Sequence, residues 1–408
     1  MKKTLLALAM LSAFGSVLVG RAANEKLTIW TSLEGPELTW LSDTAKRFEG
    51  TAAGKGHSVE VVFIPFNEIN NKLIQSAPTG QGPDVIGLIP HDRIGPLASA
   101  GVLEPVASYL SSSQKSDTPT SSMDALSYNG SLLGFPAFGE AVAVIYNKKL
   151  LPAGIPKSWS AFISGAQKLT DASNQKFGFL ANITQPYSMF GFYSAMGAYV
   201  FGKDSKGALN PNDVGLGNEG AVKGAQLAND LRYKYNLVPD GTQDGQVQKD
   251  LFLRGKVAMW LTGPWDVGDI KKSGMEYGIG VPPRPTGAVG DFSPFIGIQG
   301  VLVSAYANDK KLASSLAQFV ANSDNQLAMN KIGGRIPVSK RAVTKLKSDP
   351  VVTGFGAAIK KGIPMPNIPE MGKVWDPWGS AIALTIQTVT PDYSGILGKA
   401  VTQIKAGK

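Results

Sequence analysis

Leu27-Thr28-Ile29-Trp30, Val59 to Ile64 and Val85-Ile86-Gly87-Leu88 are three short apolar runs, each followed by a helical pattern. Behind the first, Gly35-Pro36-Glu37 reads as a helix start, since a proline in the first turn gives up no bonded N–H. Leu41, Ala45 and Phe48 then repeat at helical spacing. Pro65 halts the second run, and Ile69, Leu73 and Ile74 follow it; Ile94, Leu97 and Ala98 follow the third. A β-α-β-α-β order predicts an α/β fold: an open sheet flanked by helices, with a ligand crevice beyond the strand ends.

Downstream, a second region opens near Gly134. Ala141 to Tyr146 reads as a strand and Glu219 to Tyr235 as a long helix. A helix over Val247 to Arg254 leads into a strand over Val257 to Leu261. After the Pro-rich joint Val281-Pro282-Pro283-Arg284-Pro285, the apolar stretch Phe295 to Val303 returns to sheet. The chain from Trp375 onward is mostly helical, and Ser108 to Ser122 reads as a loop with a capped helix start. A chain of 408 residues suits two domains.

Upstream, Lys2 and Lys3 precede an apolar run from Leu5 to Val19, and Gly20-Arg21-Ala22-Ala23 follows. A positive start, a short apolar stretch and a small-residue exit describe a secretory signal peptide over residues 1–23, cleaved after Ala22 or Ala23. An uncleaved anchor is the alternative reading of the same run. The mature chain is expected to be periplasmic or extracellular. With no cysteine there is no disulfide framework, no Cys-based zinc site and no cysteine for a lipid anchor. Loss of Lys2, Lys3 and Arg21 leaves 37 basic against 31 acidic residues, scattered as doublets such as Lys148-Lys149. No basic block or basic helix face stands out, so nucleic acid is not the expected partner.

The available chemistry points away from an enzyme. The two histidines, His57 and His91, have no His-Glu-x-x-His context, and neither a Gly-x-Ser-x-Gly elbow nor a phosphate loop occurs. No catalytic residue, metal or cofactor is expected. A glycosidase-like carboxylate pair is the one catalytic pattern composition leaves open. Aromatic residues are more informative. Trp265 follows an apolar strand in Thr262-Gly263-Pro264-Trp265-Asp266, Trp375 and Trp378 follow a Pro-rich turn, and Tyr187 follows Gln185-Pro186. Indoles at strand-to-loop junctions can offer a flat face to the C–H surface of a sugar ring, while Asp, Glu and Arg bind its hydroxyl rim. Burial in a core is the ordinary alternative for each ring.

Several segments, in order, resemble the bacterial maltose/maltodextrin-binding proteins: Gly82-Pro83-Asp84 with His91-Asp92-Arg93, Tyr128-Asn129-Gly130-Ser131-Leu132, Gly134-Phe135-Pro136, Glu140, Ile145-Tyr146-Asn147-Lys148, and Leu261-Thr262-Gly263-Pro264-Trp265. Met365-Pro366-Asn367-Ile368-Pro369-Glu370-Met371, with Trp375 beyond it, is the most specific. The similarity runs from about Leu27 to the C-terminus. It implies the two-lobed periplasmic-binding-protein fold, each lobe a mostly parallel sheet flanked by helices, with the ligand cleft between lobes. Lobe I would hold residues 24–138 and 300–345, and lobe II residues 139–299 and 348–408, with hinges near 138–142, 295–300 and 345–350.

The resemblance also implies a role for particular residues. Asp92, Arg93 and Glu140 would bind sugar hydroxyls; Tyr187, Trp265 and Trp375 would stack on rings, with Met365 packing beside them. Glu34 stands where the family carries an acid after the first strand, but Gly35 replaces the lysine that follows there. Gln185 replaces the acid two residues before the stacking tyrosine. Leu88-Ile89-Pro90 stands in place of a tryptophan before His91, with one residue inserted, and Asn70-Asn71 occupies the region of a family glutamate. The expected role is that of a monomeric substrate-binding component that delivers maltose or maltodextrin to the membrane subunits of an ABC transporter. Trehalose, sucrose or a polyol is the alternative cargo, and an exported glycoside hydrolase the alternative role.

Overall fold

Strand β1 (Lys26–Thr31) lies parallel to both β2 (Ser58–Phe63) and β3 (Val85–Pro90) in a computed structural model that describes residues 26–407. The expected leader, residues 1–23, lies outside the described residues. Between the first two strands, helix α1 (Gly35–Glu49) carries Pro36 in its first turn and buries Trp40, Leu41, Thr44, Ala45 and Phe48 as one apolar stripe. All six residues of β3 are buried, as suits a strand covered on both faces.

Further along, β4 (Ser127–Tyr128) and β5 (Ser131–Leu132) make a hairpin whose turn holds Asn129 and Gly130 at positive φ. Next come β6 (Gly134–Glu140), β7 (Ala143–Asn147), β8 (Phe177–Ala181), the paired β9 (Phe201–Lys203) and β10 (Leu209–Val214), β11 (Val257–Thr262), β12 (Tyr277–Gly280), β13 (Phe295–Val303), β14 (Ile336–Pro337) and β15 (Ile363–Pro364). One sheet runs β14-β6-β13-β3-β1-β2, with β15 beside β13; a second runs β12-β7-β11-β8.

Helices flank both sheets, so the α/β two-lobed architecture stands. The expectation of mostly parallel sheets needs correction: both are mixed. Among the described residues parallel pairing is confined to β1/β2, β1/β3, β13/β15 and β8/β11, while β13/β3, β13/β6 and β14/β6 in the first sheet and β7/β11 and β7/β12 in the second are antiparallel. The physical reason is connectivity. Strands β6 and β13 carry the chain from one sheet to the other, so they enter the first sheet without the helical crossover that parallel neighbours require.

Two apolar cores result. One gathers side chains from Leu27 to Phe138 and from Val301 to Met329. The other gathers side chains from Ala141 to Phe295 and from Val351 to Ile404, with Ile336 added from the edge strand β14. Strand β13 belongs to both, with Phe295 in the second core and Val301 in the first. No described helix is long and apolar enough to cross a membrane.

Candidate functional site

The polar groups collect where the two cores meet, beyond the carboxyl ends of the parallel strands, where ligands of open α/β sheets bind. From the first lobe, β3 ends in the short turn His91–Arg93. From the second, β8 leads to the helix Pro186–Ala195, which carries Tyr187 in its first turn, and β11 leads to the turn Pro264–Asp266, which carries Trp265. A Cβ on Gly263 would stand 2.2 Å from the Trp265 ring, so glycine is what lets the indole fold back over its own strand end.

Asp92 is buried. Its Oδ2 accepts a hydrogen bond from Trp375 Nε1 at 3.0 Å, joining a first-lobe acid to a second-lobe indole. Its Oδ1 has no hydrogen-bond partner among the described residues, nor has Arg93 Nε, which lies 3.7 Å from Asp92 Oδ2. Burial pushes the Asp92 carboxyl up to about 6, against the charge of Arg93 and the bond from Trp375. The Arg93 guanidinium lies 4.5 Å from the centre of the exposed Phe66 ring.

Beside Asp92, His91 is a fixed strut. Its Nδ1 accepts from the Ile298 N–H at 2.9 Å, which leaves Nε2 as the donor to the Met365 carbonyl, also at 2.9 Å. Burial holds its imidazole down to about 4, so it stays neutral at ordinary pH. Met365 itself is buried in the second core. Leu88, three residues before His91, has φ 58, and the pairing of β3 with β13 slips at the same level. The strand thus absorbs one residue as a bulge and re-aims the turn that follows.

At the end of β6, Glu140 meets a cation. Arg335, in the Gly-rich turn before β14, binds Glu37 of α1 through both Nε (2.6 Å) and Nη2 (2.9 Å), and binds Glu140 Oε2 through Nη1. All three side chains are buried. Burial drives the Glu37 carboxyl up, opposed by Arg335; Arg335 is itself held above its ordinary range because Glu37 and Glu140 outweigh its burial. The guanidinium also faces the Trp265 ring, 5.9 Å from its centre. Gln299 Nε2 donates to Glu140 Oε1 at 2.9 Å.

A row of rings completes the cluster. Trp265 lies 6.0 Å from Tyr187, Tyr187 lies 6.0 Å from Phe295, and Phe295 lies 5.8 Å from Trp375. Trp265 and Trp375 are half-buried, whereas Trp378 is fully buried and belongs to the core. The Tyr187 hydroxyl is buried without a partner among the described residues, and burial, then the charges of Glu140 and Asp92, raises its pKa well above the phenol range.

Asp92, Arg93, Glu140, Tyr187, Trp265, Met365 and Trp375 therefore surround one interlobe region. Glu34 and Gln185 behave differently: both are exposed residues at helix starts that form no side-chain cap, and neither enters the buried network. The acid that α1 sends into the network is Glu37. Sequence reading also missed Arg335 and Gln299. In the sequence Glu37 reads only as part of a helix start, and its partner Arg335 lies 298 positions away, beyond any local signal. Among the described residues no group of three or more His, Asp or Glu side chains is placed to hold a metal ion.

A family model of bacterial extracellular solute-binding proteins matches residues 43–354. The chain belongs to this family. Among curated solute-binding proteins, it is 33% identical to the galactooligosaccharide-binding protein of Bacillus subtilis over 93% of this chain and 89% of that one. It is 29% identical to the maltotriose-binding protein of Pyrococcus abyssi over 86% and 75%. Among solved structures, the maltotriose-binding protein of Thermus thermophilus, bound with maltotriose, is 47% identical with a TM-score of 0.89, over 93% of this chain and 99% of that one. The maltose-maltodextrin-binding protein of Alicyclobacillus acidocaldarius is 27% identical with a TM-score of 0.82, over 93% and 100%.

Proposed function

We propose that this solute-binding protein captures a malto-oligosaccharide, maltotriose in particular, between its lobes and hands it to the membrane subunits of an ABC transporter. One observation carries the reading. Asp92 Oδ1, Arg93 Nε, the Tyr187 hydroxyl and Gln299 Oε1 are buried without a hydrogen-bond partner among the described residues, and they sit beside a row of aromatic rings. A buried polar atom left unpaired costs about 1–3 kcal/mol. Four at one interlobe site, two of them on charged residues, suit a ligand that is itself a rim of hydroxyls around apolar faces. The 47% identity to a maltotriose binder supports α-linked glucose over other sugars.

Delivery follows from closure. The lobes already touch through Trp375 and Asp92, through Lys271 Nζ and the Asn330 carbonyl at 2.9 Å, and through Asn367 Nδ2 and the carbonyls of Ala125 and Ser127 at 3.1 and 2.9 Å. A sugar that adds contacts to both lobes binds the closed form better and shifts the population toward it. The closed pair of lobes is then the surface the importer meets. We assign residues 24–138 and 300–345 to lobe I and 139–299 and 348–408 to lobe II; the change of core between Phe138 and Ala141 and along β13 supports these limits, with Ile336 an edge residue packed across. The protein acts as an exported monomer without catalysis.

The galactooligosaccharide-binding relative favours a second cargo, a galactooligosaccharide. A thermal-shift and calorimetric screen with maltose, maltotriose, trehalose, sucrose, mannitol and a β-linked galactotriose separates the two. Ligand at about a thousand times Kd adds about 4 kcal/mol of stability, a shift of several degrees. A response to the galactotriose alone replaces the α-glucan reading, and silence across the panel removes sugar binding. Release of reducing sugar from maltotriose on long incubation would contradict the non-catalytic role.

A further inference from the structure

Gln299 occupies an unusual place. It lies on β13, the strand shared by both cores, at a point where the register with β6 shifts between Gln299 and Gly300 and that with β3 shifts between Gly300 and Leu302. Irregularities of this kind re-aim side chains and cluster beside binding sites. The residue is buried, at 6% exposure. Only its amide nitrogen can donate to Glu140 Oε1, so the 2.9 Å bond fixes the amide's orientation and leaves its carbonyl oxygen, Oε1, as the unpartnered atom. Glu140 is in turn held from its other oxygen by Arg335, which is clamped in both directions by Glu37. Gly297, on the same face of the strand, makes room for this arrangement: a Cβ there would stand 2.7 Å from Glu140 Cγ and Oε1.

A methionine or leucine would fill this position with no unused acceptor of its own, although it would give up the donor to Glu140 Oε1. A buried amide with its acceptor unused is costly in the free protein, which makes sense where a ligand hydroxyl satisfies it. We propose that Gln299 is a further sugar-binding residue, its carbonyl oxygen accepting one hydroxyl of the bound oligosaccharide at the pivot between the lobes, with Arg335 and Glu37 acting as positioning residues through Glu140. The proposal rests on the sugar-binding reading above. It adds a contact on the crossing strand, distinct from the contacts of Asp92 and Arg93 on one lobe and the indoles on the other.

The test uses the mature chain and isothermal titration with maltotriose and its singly deoxygenated analogues, on wild type, Gln299→Met and Trp375→Ala. Gln299→Met should weaken maltotriose binding about three- to tenfold, the loss of one neutral hydrogen bond. One deoxy analogue should lose a similar factor against wild type and nothing further against Gln299→Met, a coupling that a purely structural role does not produce. If Gln299→Met does not fold, Gln299→Asn, which withdraws the carbonyl while keeping an amide, takes its place with the same expected pattern. Wild-type affinity in the variant, or losses that simply add for every analogue, overturns the proposal. If Trp375→Ala binds poorly while the Gln299 variant binds normally, the proposal falls and the sugar-binding reading stands. If wild type binds no oligosaccharide, both fall.

Discussion

In wild type, pH should move stability and sugar affinity in opposite directions through Asp92, and Asp92→Asn should remove the Asp92 share of both dependences. In the free protein the Asp92 carboxyl is buried, with one oxygen bonded to Trp375 and the other unpaired, and burial pushes it from the ordinary 3.8 up to about 6. A rise of that size corresponds to on the order of 3 kcal/mol of preference for the protonated form. The folded state holds this proton more tightly than the unfolded chain. The contribution to stability is therefore fully present below about pH 4 and is lost as pH rises through about 6. Ligand-free wild type should lose that stability across the window relative to Asp92→Asn, whose neutral amide does not titrate; Glu37 and the other buried acids titrate in both proteins and cancel in the difference. Binding goes the other way, because sugar hydroxyls donate best to an ionised carboxylate. Wild-type affinity for maltotriose should fall as pH drops below about 6, while Asp92→Asn binds more weakly and without that dependence. Urea denaturation and isothermal titration between about pH 4.5 and 7.5 measure both curves. Equal pH slopes of stability in the two proteins, or a wild-type affinity unchanged between about pH 5 and 7, would refute the reasoning.

Other changes probe the remaining parts of the cleft. Trp375→Ala should cost about 1–3 kcal/mol of sugar affinity with little change in folding, since the ring is half-buried; a variant that melts far below wild type would make the ring a core residue instead. Arg335→Met strands the buried carboxylates of Glu37 and Glu140, so urea denaturation should show a loss of about 3–5 kcal/mol, partly recovered by adding Glu37→Gln. Unchanged stability in the single variant would remove the ion cluster from the folding energetics. Gly263→Ala places a methyl where the Trp265 ring now stands; near-UV dichroism should report a displaced indole, and maltotriose affinity should fall about tenfold, about 1.4 kcal/mol.

The local patterns were legible because they are written in neighbouring residues. The three apolar runs became β1, β2 and β3, Phe295 to Val303 became β13 with those limits, and Pro36 does sit in the first turn of α1. Strand direction was not legible in the same way: a run of β-branched and aromatic residues looks alike in parallel and antiparallel pairing, so the mixed sheets emerged only from the connections. The cleft divides along the same line. Trp265 follows an apolar strand and could be picked out there, whereas Tyr187, Asp92 and Arg93 drew their site roles from the family resemblance; Glu34 looked like the acid of the first loop although Glu37, one helical turn on, is the one buried.

By itself, the sequence determined where the chain forms strands and helices, that two α/β units alternate along it, and which aromatic and charged residues stand at the strand ends. These depend on periodicity, turn chemistry and side-chain type, all short-range properties. Only the tertiary structure decided which charges would be paired and which left free. Arg335 meets Glu37 across 298 positions and Glu140 across 195, and Gln299 reaches Glu140 across 159. Such partners are chosen when distant segments pack together, within one lobe for Arg335 with Glu37 and for Gln299 with Glu140, and between lobes for Arg335 with Glu140; there burial makes each pairing, and each unpaired atom, energetically decisive.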